Sequence, residues 1–256
     1  MDLSVPAVTL AALLLGTARA TGFVLLAPPF NSRTVPGPAK AAFALALSLL
    51  LSTQIAPTLP EPTAGFLVVA AVTEVIIGAA LGFVVQVLFQ AVQMAGDLID
   101  VTGGFSLQPA YDPLSMTQNS SVGRLHYLLA ITLLFTSGGH LLIVKGFATS
   151  YVGLPVGGDV PTDQIAAVLV TAFSMMFLAA LQIAGPMVAV LLLADVALAL
   201  LSRAAPALNI FAFGFPLKIL LTLTMLGLTF PLLPPRWTVC SSRPHAPWSP
   251  PERMRR

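Results

Sequence analysis

Residues 65–100 read GFLVVAAVTEVIIGAALGFVVQVLFQAVQMAGDLID, an apolar run in which Glu74 is the only charge before Asp97. Within it, Glu74, Gly78, Gly82, Gln86, Gln90, Gln93, Asp97 and Asp100 each follow the last by three or four positions. Side chains so spaced are neighbours on an α-helix, so a long helix with one polar seam and otherwise apolar faces is expected. Hydrocarbon satisfies no hydrogen bonds, and carboxylates, amides and glycine notches aligned inside a membrane must therefore meet a partner helix or water. The run predicts either an assembly interface or the lining of a conduit.

The rest of the chain has the composition that such a helix needs around it. Hydrophobic residues make up 57% of the 256 and charged ones only 9%, too greasy for an ordinary soluble domain. Formal charge is +2 and the basic residues gather on no one face, so no nucleic-acid partner is expected. Cys240 is the only cysteine and can form neither an internal disulfide nor a thiolate metal site. Crossing a hydrocarbon core of roughly 30 Å takes about 20 helical residues, and apolar runs at residues 5–26, 40–56, 65–95, 124–147, 164–201 and 215–232 are the candidates. The first lacks a basic leader and outlasts the apolar core of a cleaved signal, so it is read as a retained helix. The second and last are short; the third and fifth are long. Gly185 and Pro186 are expected to kink or break the fifth, because proline removes a backbone donor and clashes with the preceding turn.

Breakers separate the runs. Pro28, Pro29, Pro36, Gly37 and Pro38 punctuate the first connection, and Pro57, Pro60 and Pro62 shorten the second to a turn. The third, about residues 101–123, is long, with Gly103, Gly104, Pro109, Asp112 and Pro113, yet it carries Phe105, Leu107, Tyr111, Leu114 and Met116. Apolar content in so long a loop favours a packed, functional segment. Arg33, Lys40, Arg124, Arg203 and Lys218 fall on or beside the odd connections, which favours those as cytoplasmic; Arg236, Arg243, Arg253, Arg255 and Arg256 break that pattern. No internal repeat marks an inverted-repeat transporter.

Four separated stretches carry a family resemblance: ATGFVLLAPPFNSRTVPGPAKAAFALALSLL at 20–50, MAGDLIDVTGGFSLQPAYDPLSMTQ at 94–118, LLFTSGGHLLIVKGFATSYVGLP at 133–155 and LLLADVALALLSRAAPALNIFAFGFPLKILL at 191–221. Together they resemble the FliR family of flagellar biosynthesis proteins, whose relatives include the virulence-type export proteins of type III secretion systems. The resemblance spans roughly residues 5–234. It implies an export-gate subunit in the bacterial inner (cytoplasmic) membrane at the flagellar basal body, helping to pass unfolded polypeptides outward. Implied partners are FliP-like and FliQ-like subunits, other export-apparatus membrane proteins, the exported polypeptides and lipid. The expected fold class is an all-α membrane protein of about six hydrophobic helices, some long and kinked. These form helical hairpins within a cone-like hetero-oligomeric gate, some of them above the bilayer plane. One domain would cover residues 1–234, while 235–256, rich in Pro, Ser and Arg, is expected to be disordered.

The resemblance also implies a channel plug at Gly103, Gly104, Phe105 and Ser106, with Asp112 and Pro113 at its far end. Adjacent glycines permit a sharp turn, and a Phe ring suits a dry constriction against ions. The alternative is that the glycines cap the preceding helix and Phe105 packs into a core. The seam likewise has two readings, since Gly78 and Gly82 form a small-xxx-small notch and membrane amides bond across interfaces for about 1 kcal/mol each. It serves as glue between subunits or as pore lining.

Charges inside apolar runs need partners: Arg19 with Glu74, and Asp195 with either Arg203 or a neighbouring helix, are the candidate ion pairs, and Lys145 near a run end can reach the interface. A proton-coupled secondary transporter or channel using Glu74 and Asp195 is the alternative function. An enzyme is not expected. His126 and His140 lack metal-ligand spacing, Ser137 is in no nucleophile elbow and there is no P-loop, so neither cofactor nor metal is foreseen.

Overall fold

Proline and glycine set most helix ends in the computed structural model, which describes residues 7–32, 34–60, 63–105, 120–158, 162–205 and 210–229. Helix α1 (Ala7–Leu26) stops before Pro28, and Asn31 Nδ2 donates to the freed carbonyl of Leu26 at 3.2 Å. Helix α2 (Gly37–Ile55) starts with Pro38 in its first turn, where the missing N–H costs nothing, and ends in a 3₁₀ turn, Ala56–Thr58. Helix α3 (Ala64–Gly103) is capped by Thr63, whose hydroxyl accepts from the Phe66 N–H, and closes on Gly104 at φ +83°. That left-handed residue returns its N–H to the Asp100 carbonyl, an ending that favours glycine. Helices α4 (Ser121–Thr136), α5 (Gly139–Gly153), α6 (Thr162–Ala204) and α7 (Ile210–Thr229) complete the order. No strand occurs among the described residues.

One expected span requires correction. The run at 124–147 is not one helix: Gly138, at φ +73°, turns the chain so that α4 and α5 are bent by 78°. Of the two outcomes expected at Gly185 and Pro186, a kink or a break, the break does not occur, and α6 stays helical through both residues. Proline forfeits one backbone bond, whereas opening the helix in an apolar medium would strand several, so continuity wins.

Among the described residues four helices are long and apolar enough to cross a membrane, and the α4–α5 pair adds a fifth if counted as one broken span. The apolar part of α7 within 213–228 is shorter. The chain is an all-α membrane protein. Its hub is α3, whose 40 residues make a rod about 60 Å long at roughly 1.5 Å per residue. One end of α3 packs with α1, α2 and α5 around Leu15, Phe23, Ile55, Phe147 and Tyr151. The other packs with α4, α6 and α7 around Ile99, Val122, Ala184, Met187 and Leu226.

Candidate functional site

Glycine lets α1 and α3 touch backbone to backbone. A Cβ at Gly78 would run into the Arg19 main chain, one at Gly22 into the Val75 carbonyl, and one at Gly82 would sit 2.7 Å from the Phe23 carbonyl oxygen. That closeness brings Arg19 against Glu74, and both are sealed from the surroundings at 0% and 1% exposure. Arg19 Nε and Nη2 both donate to the Glu74 carboxylate, Nη2 at 3.0 Å from Oε1. Nη2 also donates to the Leu154 carbonyl at 2.8 Å, Nη1 reaches Ser150 Oγ at 3.3 Å, and the guanidinium lies 4.1 Å from the Tyr151 ring centre. The Tyr151 hydroxyl in turn donates to the Gly16 carbonyl at 3.2 Å. A planar guanidinium with several fixed donors is suited to tie three elements together. Arg19 thus pins α1, α3 and the end of α5 at one node.

Sequence reasoning joined Arg19 to Glu74 but missed Ser150, Tyr151 and the Leu154 carbonyl. Its available signal was a Ser-Tyr pair inside an apolar helix that is followed by Gly153 and Pro155.

The polar row does not keep to one face, contrary to expectation. Four steps of four residues carry Gln90 roughly 160° around the axis from Glu74, because 3.6 rather than 4 residues complete a turn. Glu74, Gly78 and Gly82 accordingly face α1, while Gln86 and Gln93 are half-buried and Gln90 is exposed. None of the three amides bonds through its side chain to another described residue. Further along, the row meets the start of α4. A Cβ on Gly96 would lie 2.6 Å from Gly123 Cα, and Gly123 leaves room for the Asp97 carboxylate. Asp100 Oδ1 accepts from the Val122 N–H at 3.2 Å and Ser120 Oγ from the Gly123 N–H at 2.8 Å, covering two of the free donors of that helix end. Asp97 Oδ1 is buried without a hydrogen bond, and the positive end of α4 is its evident electrostatic counterpart.

The glycine turn lies just beyond. Gly103 is buried with Thr222 Oγ1 of α7 where its Cβ would point, Gly104 forms the cap and Phe105 packs on the Ile99–Leu226 cluster. Ser106, Asp112 and Pro113 fall outside the described residues, as does the segment 235–256. Asp195 pairs with Lys218 of α7, not with Arg203, which has no ion-pair partner among the described residues. Lys218 and Asp195 are 15% and 44% exposed, a far wetter setting than the Arg19 node. Both acids that a proton-coupled carrier would use are therefore engaged by basic side chains. Among the described residues no three His, Cys, Asp or Glu side chains converge as metal ligands would.

Known proteins share this layout of sequence. The profile of "Bacterial export proteins, family 1" matches residues 10–243. Flagellar biosynthetic protein FliR of Escherichia coli (strain K12) is 34% identical over 221 residues, 85% of this chain and 83% of the relative. FliR of Bacillus subtilis (strain 168) is 32% identical over 84% of both chains. Yop proteins translocation protein T of Yersinia pestis is 33% identical over a shorter 147 residues, 57% of this chain and 56% of its own. With matches that run through α1, the α3 hub and the long α6, the chain belongs to the bacterial export proteins, family 1, as a FliR-like member.

Proposed function

We propose that this chain is a structural and gating subunit of a type III protein export gate of the flagellar kind, working in the bacterial inner membrane with FliP-like and FliQ-like subunits. It contributes to the wall and the plug of a channel for unfolded polypeptides and performs no catalysis of its own. The flagellar choice is supported by relatives matched along most of their length, whereas the virulence relative matches over little more than half. The single observation that carries an assembly role is the trio Gln86, Gln90 and Gln93, amides on a mostly apolar helix with no side-chain hydrogen bond to another described residue. In an apolar medium they need hydrogen bonds from a neighbouring subunit or from water in a lumen. Gly104 and Phe105 sit at the end of the same helix, where the plug would begin. In the described conformation Phe105 is docked on the Ile99–Leu226 cluster, which gives a closed gate a packed resting place.

Co-expression of the tagged full chain with FliP-like and FliQ-like proteins from one bacterium tests this. A stable ternary complex on purification is the expected result. Gln90→Leu with Gln93→Leu then separates the roles: loss of the complex assigns the amides to subunit contact, and an intact complex with impaired export assigns them to the lumen. A chain that purifies alone and transports a small solute would overturn the proposal.

A further inference from the structure

A cavity of about 720 Å³ lies between α3, α5 and α6. Ile77, Leu81 and Val84 of α3, Leu142 of α5 and Ile165 and Leu169 of α6 make its walls apolar. Its rim is not. Lys145 and Gln164 also line it, and Lys145 is exposed with no carboxylate in ion-pair reach among the described residues. Leu142 and Val168, both part of its lining, are themselves exposed, so apolar side chains border the cavity on the outer surface.

We infer that this cavity is a binding site for one anionic phospholipid, with an acyl chain along the apolar walls and the headgroup phosphate at Lys145. Size and lining both fit: ligand sites of roughly 300–1,000 Å³ combine mostly apolar walls with a few placed polar groups. Charge decides the headgroup. A lone ammonium on an apolar rim is a point charge suited to a phosphate, and the Gln164 amide supplies a second N–H donor from the facing helix. Ser150 and the Leu154 carbonyl, which line the same cavity, are already committed to Arg19, so the floor of the site is set by the buried node. The site requires only that the chain be embedded in lipid and stands apart from its role in export.

The test uses the full chain in nanodiscs of phosphatidylcholine and phosphatidylglycerol at a 3:1 ratio, with native mass spectrometry to count the lipids retained on release. One lipid is expected to remain, with its phosphatidylglycerol-to-phosphatidylcholine ratio raised about five-fold over that of the disc, from 1:3 to about 5:3, the factor that one lysine near an anionic headgroup supplies. Lys145→Met should return the retained lipid to the bulk ratio while leaving the helical circular dichroism unchanged. Leu169→Trp, which fills the cavity from α6, should remove the retained lipid altogether. Retention of both lipids in the bulk ratio, or a phosphatidylglycerol preference that survives Lys145→Met, would overturn the site. Absence of any retained lipid from the unsubstituted chain would do so as well.

Discussion

Removing Glu74 while keeping Arg19 should cost more than any other single substitution at the Arg19 node. Glu74→Ala leaves a guanidinium at 0% exposure with only the Leu154 carbonyl, Ser150 and the Tyr151 ring around it. Breaking one side of a buried pair typically costs about 3–5 kcal/mol, because the remaining charge stays desolvated without its counterion. At about 2–4 °C per kcal/mol for a chain of this size class, the unfolding midpoint should fall on the order of 10 °C. Replacing both partners together, Arg19→Met with Glu74→Leu, removes the uncompensated charge, and apolar replacements of buried pairs are often neutral or better. The double variant should therefore recover most of the loss. Thermal unfolding of the parent, Arg19→Met, Glu74→Leu and the double variant in one detergent, with Glu74→Ala alongside and followed by near-ultraviolet circular dichroism, gives the double-mutant cycle. Strictly additive losses, or a Glu74→Ala midpoint within two degrees or so of the parent, would refute the argument that this ion pair is the tie between α1, α3 and α5.

Gly78→Ala should destabilise by about 1–3 kcal/mol, since its Cβ meets the Arg19 backbone and α1 must move away. Gly185→Ala has open space and should instead stabilise α6 by up to about 1 kcal/mol, so the two midpoints should move in opposite directions. Lys218→Met, which breaks a pair 15% and 44% exposed, should cost no more than about 1 kcal/mol and leave the chain folded in the same unfolding assay. If Phe105 is the stopper, Phe105→Ala in the assembled complex should raise ion conductance across planar bilayers without loss of subunits; unchanged conductance with an intact complex would return Phe105 to a purely structural role.

What the sequence made legible was what hydrocarbon forbids. A chain with 9% charged residues has few polar groups to place, and a helix is the obvious way to satisfy its backbone, so the class of fold and the long α3 followed directly. Arg19 and Glu74 were readable as partners because two opposite charges inside apolar runs have few alternatives. The Gly138 bend was harder to see, because Gly138 and Gly139 interrupt a run whose hydropathy continues on both sides. Reading steps of three and four as a single face failed for a simpler reason. Successive fours lag the helix by about 40° each, and over the stretch from Glu74 to Gln90 the error accumulates to nearly half a turn. Partner choice at Asp195 needed the tertiary fold: Arg203 is two turns away on its own helix, whereas Lys218 arrives from α7.

Exposed apolar surface on this chain does not by itself demand a protein partner, because lipid covers leucine as well as another helix does. Length does. Helices α3 and α6, with 40 and 43 residues, are rods of about 60 Å or more, twice a hydrocarbon core of roughly 30 Å. Fitting such a rod inside that core takes a tilt of about 60° from the membrane normal, beyond the 0–40° or so over which spanning helices are found. Some of each rod must therefore leave the hydrocarbon, and neither end of α3 is dressed for water: Val68 and Val69 are exposed near its start, Leu88 and Val101 toward its end. Helix α6 carries polar Asp163 and Arg203 at its ends, yet it too exposes Val168 and Val170 toward one end and Leu200 and Leu201 toward the other. Whichever ends lie outside the bilayer, protein has to cover them, and other membrane proteins of the export apparatus are the partners that could do so. Cysteines placed at Val69 and Val101 in the assembled complex, each probed with a lipid-phase spin quencher, should give one accessible and one protected site. Equal access at both would mean a steeply tilted rod lying wholly in lipid, and the physical case for burial in an assembly would be lost.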